Sequence, residues 1–179
     1  MILGMSLHTF TVLHVIISMI AIAAGLVVIA GMLGSQRMPG MTAVFLVTTI
    51  LTSATGFLFP INGFTPALGV GIVSLVILAI ALLALYGRHL AGAWRWIYVV
   101  SAVAALWFNV FVLIVQIFEK LSVLNPHAPQ VGPPFAEPQN TQFAIAQGAV
   151  LVLLLVLGAI AAFKFRPAAA AQTSSGLST

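Results

Sequence analysis

Long apolar segments, with charged residues only near their ends, are the dominant pattern in this sequence. The clearest segment runs from Trp94 to Lys120. Between Arg95 and Glu119 lie about two dozen uncharged residues, which at ~1.5 Å per residue reach across a hydrocarbon core of ~30 Å. Aromatic residues around Arg95 are typical of a lipid headgroup boundary. The pattern therefore predicts a transmembrane helix.

The same criterion predicts five spans, at residues 9–33, 41–59, 67–87, 96–119 and 142–163. We therefore predict an all-α, polytopic transmembrane helix bundle that occupies residues 1–166 as one domain. Pro60 ends the second span, which is the shortest and most polar of the five. The alternative is that the second segment is re-entrant and does not cross the membrane. In that case every later segment would be assigned to the wrong side of the membrane.

Two segments are predicted to lie outside the bundle. Residues 121–141 contain five of the nine prolines, and a segment of this composition cannot form a regular helix. We expect them to form a Pro-rich outer loop. Residues 167–179 are rich in small and polar residues and are predicted to be a disordered cytoplasmic tail.

The distribution of basic residues predicts the orientation. Five of the six lie on the side that the chain reaches after spans one, three and five, and only Lys120 lies opposite: Arg37, Arg88, Arg95, Lys164 and Arg166. Because basic residues favour the cytoplasmic side, the amino terminus is predicted outside and the carboxyl terminus in the cytoplasm.

Composition excludes several classes of protein. The chain is 62% hydrophobic and only 4% charged, whereas a soluble domain is about a quarter charged. Without cysteine there are no disulfides, thiolate metal sites or Cys nucleophiles. No basic run indicates nucleic-acid binding, and neither paired carboxylates nor a known catalytic motif supports an enzyme. The lipid bilayer is the predicted partner, with other membrane subunits or a second copy as further partners.

Helical periodicity places small and polar residues on one face of each span. Five polar residues on these faces fall in the outward half of the predicted bundle or near its middle, and they are the candidate ligand-binding residues: His14, Thr55, Asn109, Gln116 and Gln147. The first hypothesis is an outward-opening pocket with the Pro-rich loop as its rim. The alternative is that the same residues are interhelical hydrogen-bonding partners without a ligand.

His14 is the strongest single candidate for a residue that holds a metal or a haem. His14 is the only histidine within a predicted span, while His8 and His127 fall on the outer side. A zinc or copper site of these three, with Glu119 or Glu137, is a weaker hypothesis because no close spacing supports it. A b-type haem usually needs two facing ligands, and the sequence does not supply that pair plainly.

A resemblance rests on SATGFLFPINGFTPALGVGIVSLV followed by LAGAWRWIYVVSAVAALWFNVFVLIVQ. Residues 9–166 resemble a group of small, functionally uncharacterised polytopic proteins of the bacterial inner membrane. The resemblance implies that location and a helical bundle, but no activity and no catalytic residue.

The sequence therefore predicts a non-enzymatic binding protein or accessory subunit that holds a small or lipid-like ligand, such as a quinone or a haem, in its outward half. A small transporter or channel is the first alternative, and a purely structural or assembly protein is the second. A transporter would need polar residues in the inner half as well, which this sequence largely lacks.

Overall fold

A computed structural model describes residues 2–60, 63, 66–120 and 141–166. In these ranges the chain forms helices joined by turns and loops, and the only strand-like feature is an isolated bridge between Ile2 and Met5. The helices are α1 (Leu7–Leu33), α2 (Pro39–Gly56), α3 (Pro66–Leu82), α4 (Trp94–Lys120) and α5 (Thr141–Lys164), and α3 continues as a π-helical turn, Leu83–Gly87. Five helices, with the third counted through its π turn, are long and apolar enough to cross a membrane. These features indicate a multi-pass membrane protein and confirm the predicted all-α class.

The observed helix ends differ from the predicted ones by up to three residues. The first helix begins at Leu7 because the Ser6 side chain accepts a hydrogen bond from the Thr9 backbone N–H at 3.1 Å and caps the helix. The second ends at Gly56, and the next residue continues as a tight turn. Pro60 disfavours the helical conformation in the residue before it and cannot donate a hydrogen bond to the carbonyl of Gly56, so it marks the end of this helix approximately.

The fourth helix organises the bundle. It packs against α1, α3 and α5, while α2 packs against α1 and α3. The core between these helices consists of apolar side chains, of which Phe45, Leu78, Val99 and Leu106 are almost completely buried. The helix predicted most clearly from the sequence, α4, therefore has other helices on several of its sides.

Small residues allow the closest approach of helices. A Cβ atom added to Gly25 of α1 would lie 2.8 Å from Leu106 Cδ1 and 2.9 Å from Phe45 Cε2. Carbon atoms in contact normally lie ~3.5–4.0 Å apart. Glycine is therefore required where α1 crosses α2 and α4. Helical spacing predicts that Gly25 lies on the same inward face of α1 as His14, and its burial agrees with that prediction.

The fifth helix is the most exposed. Of its most apolar stretch 6% is buried, compared with 39% for α4. Its outward side chains are large and apolar, including Val152, Leu153 and Leu155. This surface matches the apolar interior of a bilayer.

Several predictions concern parts of the chain outside the described residues. The Pro-rich loop (121–140 of it), with His127 and Glu137, and the tail from residue 167 onward are among them. The orientation of the termini relative to a membrane remains a prediction.

Candidate functional site

The predicted residues His14 and Thr55 lie together, between α1 and α2. His14 Nδ1 is 2.7 Å from Thr55 Oγ1, and the Thr55 hydroxyl also donates to the Leu51 carbonyl at 2.6 Å. The ring of Phe59 packs edge-on against His14, with 5.2 Å between centroids. The imidazole is therefore held by a hydrogen bond from α2 and by an aromatic contact from the segment that follows α2.

Further hydroxyl contacts connect the same helices. The Ser18 hydroxyl donates to the backbone carbonyl of His14 at 2.8 Å and lies 3.3 Å from Thr52 Oγ1. On the other side of α2, Ser53 donates to Ser74 of α3 at 3.1 Å. The second helix thus supplies polar contacts to both of its neighbours, as expected for polar side chains between helices in lipid.

Asn109 pairs with Thr49 of α2, which is not one of the five candidate residues. Its amide donates to Thr49 Oγ1 at 3.2 Å and to the Ala105 carbonyl at 3.3 Å, and both Asn109 and Thr49 are buried. Between this pair and the opposite end of α2, the fully buried Phe45 and Leu46 occupy the helix face. The polar residues of α2 therefore do not form a continuous path through the bundle.

Gln116 and Gln147 do not join the other candidates. Gln116 is exposed, because Ile114 and Val115 take the buried positions of that turn of α4. The expectation that it faces inward was wrong. The Gln147 amide donates to the Phe111 carbonyl at 3.1 Å, which fixes α5 against α4. The five predicted residues are therefore distributed over separate contacts and do not line one pocket among the described residues.

Two buried polar atoms lack a hydrogen-bonding partner within the part of the chain that the structure describes. They are Nε1 of Trp107 and Oε1 of Gln147. One is a donor and the other an acceptor, and they belong to the facing helices α4 and α5.

The histidines do not form a metal site among the described residues. In those ranges no three His, Cys, Asp or Glu residues lie close enough together to hold a metal ion. Of the predicted ligands, His14 is bonded to Thr55, and His8 lies near the start of α1. His127 lies outside the described residues.

A cavity with several polar side chains in its wall lies at the other end of the bundle. This cavity, of about 220 Å³, opens where the end of α1 and the start of α2 meet the π turn and the start of α4. Its wall is mostly apolar and its polar side chains are six: Gln36, Arg37, Thr42, Tyr86, His89 and Tyr98. Of these six side chains, those of Tyr98 and Thr42 are buried. None of the five predicted ligand-binding residues lines it.

The backbone around this cavity is unusual. Leu85 and Tyr86 belong to the π turn, and π turns are frequent at functional sites. Ser35, His89 and Leu90 adopt left-handed conformations with φ of 56°, 51° and 61°. Each costs ~1–2 kcal/mol in a residue other than glycine. Such strain persists only where the surrounding contacts impose it, and it occurs preferentially near binding sites.

A second groove, of about 410 Å³, lies between α4 and α5 on the outer surface. Apolar and aromatic side chains line it from Trp96 to Trp107. It matches lipid chains, but offers few groups that would orient a polar ligand.

Comparisons with protein-family models, curated proteins and solved structures gave no match for this chain.

The cavity supplies hydrogen-bond donors and one cationic side chain in an apolar frame. It offers no carboxylate, because the single acidic residue among the described ones, Glu119, lies in the last turn of α4. The basic residues at this end, among them Arg37, were evident from the sequence, but cations near the ends of spans are also typical of membrane anchors. The cavity itself has no sequence signal, because three separate connections form it.

Proposed function

We propose that the protein is a non-enzymatic binding or accessory protein of a bacterial inner membrane, and that it holds a small amphiphilic molecule. The cavity of about 220 Å³ at the basic end carries this proposal. Typical small-molecule sites have ~300–1,000 Å³, so the cavity accommodates a small molecule or the polar head of a larger one. The proposal moves the site from the outward half, which the sequence favoured, to the opposite end.

The polar residues of the other half support a structural role for that region. His14, Thr55, Asn109 and Gln147 each form a hydrogen bond with a neighbouring helix. Their side chains therefore stabilise the packing of α1, α2, α4 and α5 without needing a ligand. A transporter or channel has less support, because buried Phe45 and Leu46 interrupt the polar face of α2.

Native mass spectrometry of the protein purified in mild detergent tests the proposal. The informative variant is Val28→Phe, since Val28 is buried and lines the cavity, and a larger side chain there fills part of it. The matched control is Val152→Phe, on the exposed surface of α5. We expect a bound molecule on the native protein and on the control, and its loss from Val28→Phe. A native protein without a bound molecule, or retention in Val28→Phe, would contradict the proposal.

A further inference from the structure

The basic end of the bundle has an excess of positive charge, and no carboxylate of the described residues lies beside it. Five of the six basic residues lie near this end, whereas the chain has only two acidic residues, Glu119 and Glu137. Glu119 lies 21 residues beyond Tyr98 on α4, or about 30 Å along the helix axis. Among the described residues, no carboxylate therefore neutralises this end, and an anion from outside the protein could do so.

Two of the guanidinium groups are already engaged by aromatic rings. The Arg88 guanidinium carbon lies 5.1 Å from the centroid of Trp94, and that of Arg95 lies 5.7 Å from the centroid of Trp96. Such cation–π contacts hold both side chains beside the helices. Arg37 is the arginine that lines the cavity, and no carboxylate among the described residues lies at its end of the bundle.

The other polar groups of the cavity complement an anion. The Gln36 amide, the Tyr86 hydroxyl and the His89 imidazole supply N–H and O–H donors. The second helix begins beside them, since Met38 and Pro39 line the cavity. Pro39 has no N–H group, and no side chain caps the backbone N–H groups of the residues that follow it in the first turn. Uncapped N–H groups at the start of a helix attract negatively charged oxygens.

The position of the cavity narrows the class of anion. Trp94 and Trp96 begin α4 at this end, as expected for residues at the headgroup level of a bilayer. The phosphates of membrane lipids lie at the same level. Planar guanidinium groups bind phosphate oxygens through paired hydrogen bonds.

We infer that the cavity binds a phosphate group, with Arg37 as its cationic partner and the donors around it completing the site. This inference rests on the proposed function and names the chemistry of its ligand. Two sources share that chemistry: the headgroup of an anionic phospholipid and a free phosphate anion.

Binding measurements on delipidated protein in detergent test the inference. The probes are phosphatidylglycerol, followed by native mass spectrometry, and inorganic phosphate, followed by titration calorimetry. The informative variant is Arg37→Gln, and the matched control is Arg95→Gln, which removes the same charge at the same end but outside the cavity.

We expect native protein and Arg95→Gln to bind at least one probe with similar affinity, and Arg37→Gln to bind it about tenfold more weakly, as the loss of a charge-assisted hydrogen bond predicts. Binding of phosphatidylglycerol alone identifies the source as a lipid headgroup. Binding of inorganic phosphate identifies it as a free anion. Either result supports the shared chemistry.

Equal binding by Arg37→Gln and Arg95→Gln would overturn the inference. The inference would also be overturned if the native protein copurified with a molecule that lacks phosphate, and if this molecule were lost from Val28→Phe but retained by Arg37→Gln. That result would leave the proposed function intact. If neither probe binds and the native protein carries no bound molecule, both the inference and the proposed function fail.

Discussion

Replacement of Gly25 by alanine tests how closely the helices pack at the centre of the bundle. The added Cβ would lie 2.8 Å from Leu106 Cδ1 and 2.9 Å from a ring carbon of Phe45. Both neighbours are about 99% or more buried, with exposed fractions of 0% and 1%. Neither side chain can turn into free space, so the helices must separate or the side chains must leave their preferred conformations.

The magnitude follows from a comparison with Gly148→Ala. At Gly148 of α5 an added Cβ would meet no atom within 4 Å. Both substitutions gain the helix preference of alanine over glycine, ~1 kcal/mol, but only Gly25→Ala overpacks the core, at a cost of ~1–3 kcal/mol. We therefore expect Gly25→Ala to have a free energy of unfolding ~1–3 kcal/mol below that of Gly148→Ala.

The assay is equilibrium unfolding in mixed micelles, followed by the fluorescence of the three tryptophans. A second variant, Leu106→Ala, removes one of the two clashing side chains. In the Gly25→Ala background it should cost less stability than in the native background, because it also relieves the clash. If Gly25→Ala were as stable as Gly148→Ala, the proposed close contact of α1 with α2 and α4 would be refuted.

Two further predictions concern the polar contacts. Asn109→Leu should lower the free energy of unfolding by ~0.5–2 kcal/mol, because Thr49 loses a buried partner. Gln116→Leu should leave the free energy of unfolding unchanged or raise it, because that position is exposed. Equal effects of the two substitutions in the same unfolding assay would contradict the assigned positions. A double-mutant cycle of His14→Ala and Thr55→Val should give a coupling energy near 0.6 kcal/mol and below ~1.7 kcal/mol, and a coupling of zero would show that the contact does not stabilise the bundle.

The helices could be predicted from sequence because their signal is local. Length and apolarity within one segment decide whether it can span a membrane. Inward faces were also predictable where a small residue must be tightly enclosed, as at Gly25. Gln116 was predicted to face inward because it lies two turns from Asn109 on the same helix face, but it is exposed. Near the end of α4, Ile114 and Val115 take the buried positions, and helical spacing alone does not show which neighbour covers a given turn.

The cavity could not be predicted because its wall comes from distant parts of the chain. Met32, Arg37, His89, Tyr98 and Phe165 come together only when the ends of three helices meet. The local signals were present but ambiguous, since a cation near the end of a span also serves as a membrane anchor. The left-handed conformations of Ser35 and His89 have no sequence signal at all, because neither residue is a glycine.

The central claim is that α1, α3 and α5 end at the same side of the bundle and enclose the cavity there. Since the chain has no cysteine, a pair of introduced cysteines tests this claim without competing disulfides from native residues. The Arg166 backbone N–H donates to Ser35 Oγ at 2.9 Å, a separation that places the two residues within reach of a disulfide. Ser35→Cys with Gly148→Cys is the control, because residues 148 and 166 are ~27 Å apart along a helix. After oxidation in membranes, mass spectrometry should find an intramolecular disulfide in Ser35→Cys/Arg166→Cys and none in the control. Cross-linking of the control pair, with none between positions 35 and 166, would contradict this arrangement of the helices.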